Sequence, residues 1–349
     1  MSTSGGGMKG AWGCGRWWYK SFKRLASWCF IDSMFHTKLC DLLGIKYPVI
    51  QGALGGVSGG PRLAAAVSNA GALGVLASFG LTNKQLREEI SQTRVLTDKP
   101  FGLNIYAAKP AFISSVAKVA VEEGVTIVTT GRGDPRQPIV SLLKGHGITV
   151  LPVVAAVRHA VRMEKEGADA VIVSGMEAGG HVGTVCSLPL IPQVVSAVKI
   201  PVVAAGGIGD ARGFVAALAL GACGIQMGTR FLATNESGAS SKQKQKILEA
   251  SEEDTVPTPI FTGRNVRVLK SPELEQWFRK QREGATAKEL EDLASHIKRK
   301  RRSSSEVSVT AGQISGMINE IESAKEVITR LIEEATGICL SLGSLAGAE

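Results

Sequence analysis

From residue 48 the chain repeats one pattern: a short, almost wholly apolar run, a glycine or polar turn, then a longer stretch with the period of an amphipathic helix. The apolar runs cover 48–52, 73–77, 101–105, 125–129, 148–153, 169–173, 201–205 and 223–228. Helix-period stretches between them include 61–69, 83–95, 111–123, 156–166 and 211–220. Because the runs are continuous rather than alternating, they suit parallel strands covered on both faces. Eight such units predict an α/β fold, a closed (β/α)8 TIM barrel, rather than an open doubly wound sheet of about five or six strands.

After the eighth run the pattern breaks. Residues 235–315 are polar and mostly of helical pattern, with one extended piece at 259–269, and helix period returns over 316–335. The expected organisation is a barrel built from 34–234 and 316–349, interrupted between strand 8 and its helix by an inserted, mostly helical substrate-side lobe over 235–315. Residues 324–335 would then complete the barrel. The first 33 residues read as a non-core extension, basic and holding four of the five tryptophans (Trp12, Trp17, Trp18, Trp28). They lack the apolar core and small-residue cleavage site of a secretory signal. A dispensable extension or misassigned start is preferred there to an interfacial membrane anchor.

The net charge of +9 would suggest nucleic acid were it spread over the fold. It is not: residues 1–33 contribute +4 and the run Lys298-Arg-Lys-Arg-Arg302 contributes +5, leaving the rest neutral. That run reads as a solvated helix end, so neither nucleic acid nor membrane is an expected partner. No apolar stretch has the length of a membrane span. The six cysteines are scattered, with no metal-ligand spacing, which fits a reduced, cytoplasmic setting and no metal.

Chemistry concentrates in the loops after the runs. The sixth run leads into Ser174-Gly-Met-Glu-Ala-Gly-Gly-His-Val-Gly183, the seventh into Gly206-Gly207 and the eighth into Gly228-Thr229. Glycines permit close backbone approach to a ligand, and loops 7 and 8 are the usual phosphate site of such barrels. The Thr229 hydroxyl could add a donor to that phosphate. One phosphate cradle suits a mononucleotide flavin better than a dinucleotide. His181 is the nearby group able to exchange a proton near neutral pH, whereas His36, His146, His159 and His296 lack a glycine loop at a strand end. Glu177 could orient the imidazole or merely serve its own loop. Asn104 at the end of the third run would turn its amide into the mouth, and Gln51-Gly-Ala-Leu-Gly-Gly-Val57 is glycine-rich enough for a flat ring to approach.

These residues carry a resemblance. Pro48-Val-Ile-Gln-Gly52, Phe101-Gly-Leu-Asn104, Glu177-Ala-Gly-Gly-His-Val-Gly183, Ala204-Ala-Gly-Gly-Ile-Gly-Asp210, Gln226-Met-Gly-Thr-Arg-Phe231 and Ala311-Gly-Gln-Ile-Ser-Gly316 resemble the flavin-dependent nitronate monooxygenases, once called 2-nitropropane dioxygenases, and the related flavin-type enoyl-acyl carrier protein reductases. The resemblance covers 34 to about 338. It implies FMN in the barrel mouth and His181 as the catalytic histidine. The expected cofactor-binding set is Gln51, Gly52, Ala53, Asn104, Gly179, Gly180, Ala205, Gly206, Gly207, Gln226, Met227, Gly228 and Thr229. One departure is Ala53-Leu-Gly-Gly, where many relatives carry Gly-Met and an aromatic residue, so a more open surface over the flavin is expected.

Both branches share these motifs, so two activities stay open. The leading reading is oxidative denitrification of an alkyl nitronate with O2. The alternative is an NAD(P)H-dependent enoyl thioester reductase, or an NADH:quinone reductase. A nucleotide dehydrogenase using Cys186 as nucleophile and a basic interaction protein acting through 298–302 are weaker readings. A homodimer is the expected assembly.

Overall fold

The computed structural model describes residues 34–106, 109–131, 139–303 and 309–345. The extension 1–33, on which the tryptophan-rich and anchor readings fall, lies outside the described residues. Eight parallel strands form the barrel: β1 (Val49–Gln51), β2 (Gly74–Ala77), β3 (Phe101–Ile105), β4 (Ile127–Thr130), β5 (Thr149–Val154), β6 (Val171–Ser174), β8 (Val202–Ala205) and β9 (Gly224–Met227). A two-residue strand, β7 (Gly180–His181), stands apart from them. Pairing runs from β1 through β9, β8, β6, β5, β4 and β3 to β2. A parallel bridge between Ile50 and Leu73 joins the ends, so the sheet closes. All eight expected runs are strands of one (β/α)8 barrel.

Local chemistry sets the helices that cover it. They are α1 (Lys38–Leu43), α2 (Pro61–Asn69), α3 (Asn83–Leu96), α4 (Pro110–Glu122), α5 (Ile139–Lys144), α6 (Val157–Lys165), α7 (Ser187–Ala197) and α8 (Ala211–Ala219). Proline opens α2 and α4 at a position whose N–H would be unpaired anyway. Thr82 and Gln85 form a reciprocal capping box on α3, and the Asp210 carboxylate accepts from the Arg212 and Gly213 amides to start α8. Strands β2, β6 and β8 are buried at every position, as covering on both faces requires.

The barrel is plugged at the N-terminal ends of its strands. Leu39, Cys40 and Leu43 of α1 pack with Ile50, Val75, Ile127, Leu151, Ile172 and Val203 from the interior. The Thr37 hydroxyl donates to the Cys223 carbonyl at 2.6 Å, beside the start of β9. Among the described residues, the opposite face, where the strands end, is the one left for a ligand to enter by.

Beyond β9 come α9 (Thr229–Leu232), α10 (Ser241–Glu249), β10 (Thr255–Thr258), β11 (Val266–Leu269), α11 (Pro272–Arg282), α12 (Ala287–Ser303) and α13 (Ala324–Leu345). Ile260, Val266, Val268, Leu274, Trp277 and Ile297 make a separate apolar cluster there. The extended piece expected at 259–269 is divided differently: β10 and β11 pair antiparallel, and 259–265 is the turn between them. The segment is thus less purely helical than its polarity suggested. The expected return to helix at Gly316 is also shifted. Gln313–Met317 is a 3-10 turn, and the helix resumes only at Ala324. The chain comes back where it left, through a parallel bridge between Thr234 and Glu322. The buried Arg230 guanidinium holds that junction, donating to the Ala233 and Glu320 carbonyls at 2.7 and 2.8 Å with Glu322 3.8 Å away. No described helix is long and apolar enough to cross a membrane.

Candidate active site at the barrel mouth

Glycine geometry shows which loops meet at the open face. A side chain on Gly206 would come within 3.0 Å of Ala178, one on Gly179 within 2.8 Å of Ala311, and one on Gly312 within 2.8 Å of the Glu177 carbonyl. The Gly312 amide donates to Thr229 Oγ1 at 2.9 Å, and the Gln313 amide to the Glu177 carbonyl at 3.0 Å. Loops 6, 7 and 8 are thus drawn together by the 311–316 segment, whose motif the sequence showed without its role. On the far side the Gly52 amide donates to the Met227 carbonyl at 2.8 Å, tying loop 1 to loop 8.

Gly206 and Gly207 both take left-handed φ, +88° and +74°, in a turn of the kind whose successive amides can form a cradle for an anion. Among the described residues no acceptor receives the amides of Gly206, Gly207 or Gly228. A side chain on Gly228 would meet only Leu54 at 3.9 Å, so the cradle is open on that side. Thr229 Oγ1 is an acceptor from Gly312, which leaves its own proton to donate. This donor set fits a phosphate. Glu177 stands beside it, but its carboxylate is engaged by the Ser187 amide at 2.9 Å and the Ser187 hydroxyl at 3.1 Å. It lies within the field of Arg267, whose own pKa burial pushes down. Of the two roles open to Glu177, the structure shows the loop role: it anchors the start of α7.

His181 is placed by a feature absent from the sequence reading. Strand β7 pairs antiparallel with β11, Val266 opposite His181 and Arg267 opposite Gly180, and the Val182 amide donates to the Asn265 carbonyl at 3.0 Å. Arg267 locks the same seam from beneath, donating to the Met176 carbonyl and to Thr255 Oγ1, both at 2.9 Å. The imidazole Nε2 lies 2.9 Å from Thr262 Oγ1, and the Tyr106 ring is 6.1 Å away, centre to centre. Tyr106 in turn packs on Phe79, a half-exposed ring at the end of β2, at 4.5 Å. Phe79, Tyr106 and Thr262 were not anticipated. Tyr106 stands two residues beyond Asn104, just after β3 ends, and its position at a strand end was the available signal.

A model of one protein family, nitronate monooxygenase, matches residues 36–334. The chain belongs to that family. Among members and neighbours, a probable nitronate monooxygenase of Staphylococcus saprophyticus is 35% identical over 280 residues, covering 67% of this chain and 79% of its own. A 5-hydroxy-7a-methyl-1-oxo-octahydro-1H-indene-4-carboxyl-CoA dehydrogenase of Rhodococcus jostii is 43% identical over 239 residues, covering 68% of this chain and 67% of its own. The solved structure of FabK from Thermotoga maritima superposes with a TM-score of 0.81 at 40% identity, over 89% of this chain and 99% of that one. This nitronate monooxygenase family member is an enzyme, an oxidoreductase.

Set on the family fold, the remaining expected residues divide. Ala205, Gly206, Gly207, Gly228 and Thr229 gather at the cradle, and Gly179 and Gly180 flank it on loop 6. Gln51 is fully buried: its Oε1 accepts from the Val75 amide at 2.9 Å and its amide nitrogen donates to the Gly52 carbonyl. Both ends of its side chain are thus engaged in shaping the first loop, whose backbone remains beside the mouth. Asn104 spends its Nδ2 on Thr129 Oγ1 at 2.9 Å, keeping one amide oxygen for a ligand. Ala53 and Gln226 are half-buried and Met227 is buried beneath them. Cys186, weighed above as a nucleophile, is an exposed residue at the N-cap of α7. No group of acidic, histidine or cysteine side chains able to hold a metal occurs among the described residues.

Proposed function

We propose that this family member is an FMN-dependent nitronate monooxygenase, converting alkyl nitronates by oxidative denitrification with O2. The observation that carries the reading is the pairing of an amide cradle at loops 7 and 8 with an imidazole fixed across the mouth by strand pairing. Gly206, Gly207, Gly228 and Thr229 would hold the phosphate. Gly52, Ala53, Gly179, Gly180, Asn104 and Gln226 would border the ring. Flavin bound there supplies one-electron and oxygen chemistry that no side chain offers.

The protein's own part is positioning and charge. Thr262 Oγ1 also lies 3.3 Å from the Arg264 carbonyl; with the hydroxyl proton on that carbonyl, its oxygen would accept from Nε2–H of His181 and the imidazole lone pair would fall on Nδ1. In that tautomer Nδ1 can take a proton from a nitroalkane, and the imidazolium so formed is a counter-charge for an anionic nitronate. Tyr106 and Phe79 form an apolar wall beside it, suited to an alkyl chain.

The similarity to a CoA-thioester dehydrogenase and to FabK favours a second reading, NAD(P)H-dependent reduction of an enoyl thioester on the same site. Anaerobic mixing of the purified protein with a nitronate, NADH or NADPH, each alone, separates the two. Bleaching of the visible flavin absorbance by the nitronate supports the first reading. Bleaching only by a reduced nicotinamide replaces it with the second, and a colourless protein overturns both.

A further inference from the structure

The basic run at the end of α12 is not uniformly solvated. Lys298, Arg299 and Lys300 are exposed, and Lys300 pairs with Glu273. Arg301 instead turns inward, half-buried, with its guanidinium carbon 4.2 Å from the centre of the Phe261 ring and Nη2 3.3 Å from Thr310 Oγ1. Each contact leads to His181. Phe261 precedes Thr262, the partner of the imidazole, and Thr310 is the nearest neighbour a side chain on Gly180 would meet, at 3.7 Å. Burial pushes the pKa of Arg301 down, and Tyr106, which packs beside the same imidazole, stands near it.

Arg301 differs from the other arginines removed from water. Arg87, Arg162, Arg230 and Arg330 have carboxylate partners, and Arg267 stands in the field of Glu177. Arg301 has no carboxylate partner among the described residues. A guanidinium cannot shed its proton, so keeping it half-buried with no counter-charge among the described residues is a cost that an anion at the mouth would offset. Its planar fork, stacked on an aromatic face, is preset to receive two oxygens at once.

We propose that Arg301 is a specificity-determining residue that binds an oxyanion, carboxylate or phosphate, carried by the substrate on the side remote from the reacting carbon. The inference rests on reading the mouth around His181 as the reaction site. It names two sources for one chemistry: a carboxylate on the substrate itself, or the phosphates of a coenzyme A carrier.

The test is isothermal titration of the full chain as purified, in wild-type, Arg301→Ala, Arg301→Met and Arg301→Lys forms, with coenzyme A as phosphate probe and glutarate as carboxylate probe. At least one probe is expected to bind wild type and to weaken tenfold or more in Arg301→Ala, with partial recovery in Arg301→Lys. Arg301→Met keeps the packing on Phe261 and replaces the Ala variant if that one does not fold. Binding of coenzyme A alone assigns the carrier phosphates, and binding of glutarate alone assigns a substrate carboxylate. No binding of either probe to wild type, or equal binding after loss of the charge, overturns the proposal. The readout needs no turnover, so a protein that ignores nitronates yet binds a probe through Arg301 sinks the proposed activity and leaves this inference standing.

Discussion

At the level of single residues, the proposed function hangs on an imidazole whose surroundings the sequence only partly disclosed. His181 was legible because a lone histidine in a glycine loop at a strand end has few structural reasons to be there. Its partner was not, since Thr262 lies 81 residues further on, in a turn with no motif of its own. Glu177, four residues away in sequence, was the natural candidate and proves to hold Ser187 instead. Arg301 escaped for a related reason: hydrophobic periodicity cannot tell which member of five consecutive basic residues turns inward. His181→Ala is expected to keep the fold and the flavin while losing turnover by about 10² to 10⁴, the range of a general acid or base. His159→Ala should leave rates near wild type. The measurement is steady-state turnover on variants matched for flavin content, and unchanged turnover in His181→Ala would make the residue structural.

At the scale of elements, the eight barrel strands were readable as continuous apolar runs because both faces of each are covered, whereas β7 is two residues long and has a partner more than 80 positions away. Contact between elements was invisible in the same way. Gly74 at the start of β2 shows this: a side chain there would come within 1.9 Å of the Ala64 carbonyl in α2. Gly74→Ala should therefore destabilise by about 3 kcal/mol or yield insoluble protein, the upper end of overpacking costs. Gly337, inside α13 with no atom within 4 Å of an added side chain, is the opposite case. Gly337→Ala should stabilise by about 0.5–1 kcal/mol through helix propensity, with denaturant midpoints deciding both. Between α11 and α12, the hydrogen bond from Lys300 pulls the Glu273 carboxyl down to about 2. A depressed carboxyl contributes stability that is complete above its unfolded value, near 4.5, and fades as pH falls toward about 2. Acid titration followed by Trp277 fluorescence should show that loss in wild type and not in Glu273→Gln.

For the whole molecule, every described strand and every loop of the cradle lies beyond Met34, and the family match begins at residue 36. A chain started at Met34 is expected to fold, to melt within a few degrees of the full chain and to bind flavin equally. Loss of soluble protein or of colour on that truncation would show that 1–33 contributes to the core. The order of the barrel was legible because parallel strands and their helices alternate along the chain. Where the chain leaves and rejoins the barrel pattern was less so, because the Thr234 to Glu322 bridge joins residues with no local pattern between them. The antiparallel pairing of β7 with β11 carries one more consequence. The amides around the imidazole belong to the hydrogen-bonded ladder of the inserted segment, not to that of the barrel. If the 235–315 segment opens as a cooperative unit smaller than the barrel, deuterium uptake at residues 180–182 should follow its transient opening. Warming would then extinguish catalysis in a sub-global step, while the eight-stranded barrel, its bottom still stoppered by α1, survives to a higher temperature.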